Sequence, residues 1–258
     1  RPREVGRWWL LGTRQGDSEA SPIRHTAIDA GFRVHNVNVY PSHPDRAYLG
    51  YLDAGAIILD ISDVAHPSMI SRVDYHPPFP RFTHTAMPLF DRRLMVVTDE
   101  ATTMDCSDYP KLVWVMDIRE EANPVIISTL PMPEQEEFCG RRGRFGAHNI
   151  HENLPVATSW SSDSLIVGAC FNAGVRVHDI SDPFRPREVA YFVPEEPDPE
   201  RGVNINDVYV DERGLAGRQG GRDDSRADAV DPDSVLTEFE GRGLGQMHDG
   251  RLGDAVEV

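Results

Sequence analysis

Lysine is nearly absent from this chain: Lys111 is the single one among 26 basic residues. We read that bias as the mark of a GC-rich, bacterial genome and not as a functional signal. Cysteine is also scarce, with Cys106, Cys139 and Cys170 standing singly. An odd, scattered set excludes a disulfide-rich framework and a paired-cysteine metal knuckle, and leaves one disulfide open. No apolar run approaches the ~18 residues a membrane-spanning helix needs. A charged start followed by an apolar stretch is missing too, so no signal peptide is visible. The first residue is not Met, and the opening looks like the middle of a repeat. We therefore expect the true N-terminus to be missing, and the compartment stays open. Positive charge is in deficit, 42 acidic against 26 basic residues, for a formal net charge of −16. That argues against binding to a nucleic-acid backbone, which needs a basic footprint. There is no Gly-rich phosphate loop and no Gly-x-Ser-x-Gly elbow.

What the chain does have is repetition. The phrase Gly174-Val-Arg-Val-His-Asp-Ile-Ser-Asp-Pro183 reads as a strand and a tight turn, and residues 187–193 as a second strand. Val175 and Val177 alternate with Arg176 and His178, the period of a half-buried strand. Weaker copies of the phrase lie at 55–63 and 112–118. The Asp-Ile pair falls at 60, 117 and 179, and a proline follows each Asp at 67, 124 and 186. Asp60, Asp117 and Asp179 are expected to cap backbone N–H groups in these turns. The five residues Arg1–Val5 return as Arg185–Val189, so a strand is expected at Gly6–Leu10, as at Ala190–Val193.

Upstream of each Asp-Ile strand lie two further short strand patterns. The first is at 33–39, 82–87, 146–150 and 203–210; the second is at 47–51, 94–98 and 164–168. Four short strands per repeat is the unit of a propeller blade. The expected fold class is therefore all-β, a β-propeller of about three and a half four-stranded blades and a fragment of a larger ring. The domain reading is a partial propeller over 1–211: a blade end at 1–30, blades at about 31–80, 81–144 and 145–200, and the start of another at 201–211. Residues 212–258, acidic and Gly-rich, are expected to be a disordered tail. The loop at 131–144 is a candidate for function.

These repeated phrases resemble the LVIVD repeat of bacterial and archaeal β-propellers over roughly residues 1–210. More distantly, the layout resembles selenium-binding and methanethiol-oxidase-type propellers, a resemblance that implies histidines holding a metal. The LVIVD resemblance implies a propeller and no particular reaction.

Aligning the first strands places His35, His84, His148 and Asn206 in one column. First strands line a propeller's central channel, so three imidazoles and an amide converge there and fit Zn, Fe or Cu. A polar, metal-free ligand site and a water-lined channel are the competing readings. His25, Asn36, Asn149 and His151 add polar groups for a channel ligand. Glu152 and Asp207 are the candidates for an acid or base. Cys139, beside Arg141, Arg142 and Arg144, is a weak nucleophile candidate. His178 is read as packing or surface. The favoured function is a binding or scaffold module for a protein or small-molecule partner. The alternative is a metal-dependent oxidoreductase, hydrolase or lyase.

Overall fold

The computed structural model describes residues 1–24, 30–76, 78–80, 82–104, 106–194, 202–214 and 216–221. The chain divides into two compact units, residues 1–99 with 115–126 and residues 100–114 with 127–258. Nearly all regular structure is antiparallel β-sheet. Among the described residues no helix is long and apolar enough to cross a membrane.

The first unit holds a complete four-stranded sheet. Its strands are β1 (Asn36–Tyr40), β2 (His43–Gly50), β3 (Ala56–Asp60) and β4 (Ser68–Val73), in that order. Each strand lies beside its chain neighbour, the meander of a propeller blade. Residues 56–59 of β3 are all buried, the mark of a central strand covered on both faces. The β2–β3 corner depends on Gly55, whose φ is +85° and where a Cβ would stand 2.0 Å from the carbonyl oxygen of Val73. At the far end of β3, the carboxylate of Asp60 accepts the N–H of Ser62 at 2.8 Å. Asp117 and Asp179 do the same for Arg119 and Ser181, at 2.9 and 2.8 Å. The recurring aspartate is thus the turn cap its sequence position implied.

A second sheet has the same order, β5 (Thr83–Leu89), β6 (Leu94–Asp99), β7 (Val113–Asp117) and β8 (Val125–Thr129). The division between the units passes through β7 and β8. The strand expected at Gly6–Leu10 does not form. The segment instead lays Trp8 edge-on to Tyr51 at 5.9 Å, and Leu10 joins the apolar cluster of Leu49, Ile57 and Leu59.

The second unit carries β9 (Leu165–Ala169), β10 (Val175–Asp179) and β11 (Arg187–Phe192) as a three-stranded sheet. The expected first strand at 146–150 is present only as isolated bridges, Ile150 to Gly168 and, just outside it, Phe145 to Phe171. Gly146, at φ +141°, breaks the extended run. Gly174 repeats the role of Gly55: φ is +80°, and a Cβ would stand 2.0 Å from the Phe192 carbonyl oxygen. The half-buried reading of β10 is corrected, since Arg176 and His178 are each 2% exposed. Arg176 is satisfied inside by Glu188 at 3.1 Å, by the Ala173 carbonyl at 2.9 Å and by the rings of Phe138 and Tyr191. His178 bonds the Pro131 carbonyl at 2.9 Å.

A final pair, β12 (Asn204–Val210) and β13 (Ala216–Gly221), extends ordered sheet into the stretch expected to be a tail from 212. Residues 222–258, the rest of that expectation, lie outside the described residues. The 131–144 loop contains one short helix, α1 (Gln135–Phe138), and is fastened by a disulfide between Cys106 and Cys139.

Candidate functional site

In the first unit, His35 sits one residue ahead of β1, with its N–H bonded to the Gly50 carbonyl at 2.8 Å. His84 is buried on β5. Gly50 lets the two approach: a Cβ there would stand 2.0 Å from the His84 carbonyl oxygen. The two imidazoles have centroids 3.9 Å apart, tilted by 41°, and a ligand nitrogen of each lies within 4.8 Å of the other's. A short polar chain orients them. His35 Nδ1 meets Asn36 Oδ1 at 2.9 Å, Asn36 Nδ2 donates to Thr85 Oγ1 at 3.0 Å, and Thr85 Oγ1 lies 2.7 Å from His84 Nδ1. Asn36, expected as a ligand group, is therefore placed as an orienter. Behind them, Tyr75 and Thr83 both bond Asp99 Oδ1, at 2.8 and 3.1 Å.

In the second unit, His148 is buried, and its Nδ1 lies 2.5 Å from the Asn206 carbonyl oxygen. A carbonyl oxygen only accepts, so Nδ1 carries the proton and Nε2 the lone pair. His148 Nε2 lies 3.5 Å from Oε1 of Glu100, which also accepts from Arg144 Nη1 at 2.9 Å. The ring stacks on Phe171 at 4.6 Å. Asn149 Nδ2 donates to the same Asn206 carbonyl at 3.2 Å. Asn206 thus serves through its backbone and not through the amide its column position suggested. Glu100 had no place in the sequence pattern, and Arg144 entered it only as a neighbour of Cys139, because neither falls on the repeat column.

His151 is differently employed. Its Nε2 donates to the Trp160 carbonyl at 2.6 Å and its Nδ1 accepts the Val210 N–H at 3.2 Å. With both ring nitrogens on backbone, it staples the Trp160 segment to β12. Burial holds its pKa below the usual value, against the Trp160 hydrogen bond and the charge of Glu152. Burial pushes the Asp207 carboxyl up; the Val208 N–H opposes this and the Glu152 charge adds to it. Raised carboxyls of this kind suit proton transfer. His25 lies outside the described residues.

Cys139 is no nucleophile, since its sulfur is bonded to Cys106 at 1.96 Å. Cys170 is free and buried, and burial pushes its thiol up to about 12. Among the described residues, the groups placed to hold a metal are the paired imidazoles of His35 and His84, and His148 beside Glu100. Imidazole with carboxylate suits Zn, Fe or Cu. An oxygen at Nδ1 of each ring is the outer-shell partner that ligating histidines carry.

Residues 45–75, which run from β2 through β4, match the family model of the LVIVD repeat. No curated protein matches the chain.

Proposed function

We propose, on the premise that an LVIVD repeat builds one of its blades, that this β-propeller scaffold binds divalent transition metal through the paired imidazoles of His35 and His84 in the first unit and, separately, through His148 beside Glu100 in the second. The bound metal and the polar groups around it serve to capture a small ligand or a partner. One observation carries the reading: each of the three rings has an oxygen at Nδ1, from Asn36, Thr85 and Asn206. At His35 and His148 the accepting carbonyl oxygen presents Nε2 as the ligand atom, and all three bonds fix the ring orientation. Glu100 beside His148 supplies a carboxylate of the right hardness for Zn or Fe. A bound metal would supply Lewis acidity. The chain's own residues hold the rings, and Arg144 sets the Glu100 carboxylate.

The test is metal analysis of the purified chain after loading with Zn, Fe or Cu, for the natural sequence, His84→Ala and His148→Ala. The expected result is near-stoichiometric metal that falls in both variants while their thermal unfolding stays cooperative. Metal content unchanged in both, or no metal in a folded natural chain, overturns the reading. The enzyme alternative rests on Asp207, whose carboxyl is raised by burial, with a further contribution from Glu152. Turnover of a small molecule by the loaded chain, abolished by Asp207→Asn with metal content intact, would decide for it.

A further inference from the structure

Toward the start of β2, away from the Gly50 corner, the first unit carries a half-open pocket of about 280 Å³. That is close to the lower bound of small-molecule sites, ~300 Å³. Its apolar wall is aromatic. His43 stacks on Phe90 with centroids 3.8 Å apart and planes 10° from parallel, and Tyr48 meets the same ring edge-on at 5.9 Å.

The charged groups of the wall are not equivalent. Glu121 accepts the Tyr48 hydroxyl on one oxygen and Arg46 Nε on the other, both at 2.8 Å. Asp45 takes Arg46 Nη1 at 2.8 Å. Both carboxylates thus already pair with the Arg46 guanidinium, and Glu121 with the Tyr48 phenol as well. Arg93 is the other cation of the lining, and no carboxylate of the described residues pairs with it. Its backbone is held on both sides. It closes the turn after Phe90 with φ +51°, its N–H bonds the Phe90 carbonyl at 3.1 Å, and its own carbonyl accepts Ile118 N–H at 2.9 Å. An exposed arginine with a pinned backbone, lining the same pocket as a stacked aromatic pair, is a recognition geometry: its fork matches a carboxylate, and the rings match a flat apolar body.

We propose that this pocket binds a small aromatic carboxylate, its ring against Phe90 and His43 and its carboxylate on Arg93. A cationic aromatic is disfavoured, because the acids that would receive it are held by Arg46 and Tyr48. The site uses none of the metal-binding histidines, so its occupancy is independent of any metal.

The experiment is calorimetric titration of the whole chain in the presence of a chelator, with three probes. Phenylacetate carries ring and acid, acetate the acid alone, and phenethylamine the ring with a cation. Phenylacetate is expected to bind with a Kd on the order of 0.1–1 mM, and the other two at least about tenfold more weakly. Arg93→Asn keeps a residue that tolerates the left-handed backbone, and is expected to weaken phenylacetate by about tenfold or more. Phe90→Leu should weaken it similarly. Should Phe90→Leu fail to fold, the exposed Arg93→Asn carries the decision alone. No phenylacetate binding by the natural chain, equal binding of phenethylamine, or an unchanged Kd in Arg93→Asn each overturns the proposal.

Discussion

His148 reaches across to Asn206 and places its Nδ1 2.5 Å from that residue's carbonyl oxygen. The bond joins two segments 58 residues apart, and it decides which nitrogen of a buried imidazole keeps its lone pair. A backbone carbonyl cannot be substituted away, so the orientation of His148 is tied to the fold of β12 and not to a neighbouring side chain.

Asn36 gives the same service from a side chain, and there it can be removed. Asn36→Leu keeps the size and deletes both the bond to His35 and the bond to Thr85. Loss of such an outer partner typically costs about 10–100-fold in metal affinity. Competition against a chromophoric chelator should show that loss, with far-UV dichroism unchanged. Equal affinity in the variant would mean that the His35 ring is not held by this chain of bonds.

The Cys106–Cys139 bond closes a loop of 33 residues. Constraint of the unfolded chain by a loop of that size is worth about 3–4 kcal/mol. Cys106→Ser with Cys139→Ser should lower the urea midpoint accordingly, and reductant should do the same to the natural chain. Thiol titration of the folded, oxidised chain should find no reactive group, because Cys170 is buried. A reductant-insensitive midpoint contradicts the assignment.

Burial lowers the pKa of His178 from 6.5 to about 4, opposed by its bond to the Pro131 carbonyl. Below pH 6.5 the unfolded chain takes up a proton that the folded chain refuses. Stability from this group is therefore complete above pH 6.5 and is lost as pH falls toward 4, by about 3 kcal/mol at most. His178→Leu copies the residue at the equivalent position, Leu59, and should flatten the slope between pH 6.5 and 4. Parallel slopes in both proteins would assign the acid sensitivity elsewhere.

Gly174→Ala places a methyl group 2.0 Å from the Phe192 carbonyl at a φ of +80°. Backbone strain and the clash together should cost about 2–4 kcal/mol. Gly140→Ala meets nothing within 4 Å and should stay within about 0.5 kcal/mol of the natural chain. Thermal unfolding of the pair checks the contrast; equal midpoints would remove the corner from the list of fold determinants.

What the sequence made legible were the features that are local and repeated. Asp60, Asp117 and Asp179 cap turns two residues ahead, and their periodicity marks the blades. Features that depend on distant partners were hidden. Arg176 looked solvent-facing because nothing in its own strand announces Glu188 or the rings of Phe138 and Tyr191. The pairing of Cys106 with Cys139 does not follow from spacing among three cysteines. Strand β13 lies in a Gly-rich stretch with little β-propensity, and backbone pairing with β12 supplies what its side chains do not. The corner glycines were a missed local signal. Leu52-Asp-Ala-Gly55 and Phe171-Asn-Ala-Gly174 repeat the same turn, with Leu52 and Phe171 both at positive φ. Glu100 follows a strand end and belongs to no repeat column, so only folded geometry brings it to His148.

Lys111 is 1% exposed, enclosed with Asp108 at 3.6 Å, and it is the chain's one lysine. Every cationic side chain that the folded surface offers, histidine aside, is therefore a guanidinium. Acylating reagents and acetyl or ubiquityl transfer find no side-chain amine to attack while Lys111 stays enclosed. An ε-amine that does become reactive would report the opening of the 100–111 segment, which makes Lys111 a built-in chemical probe of that region's integrity.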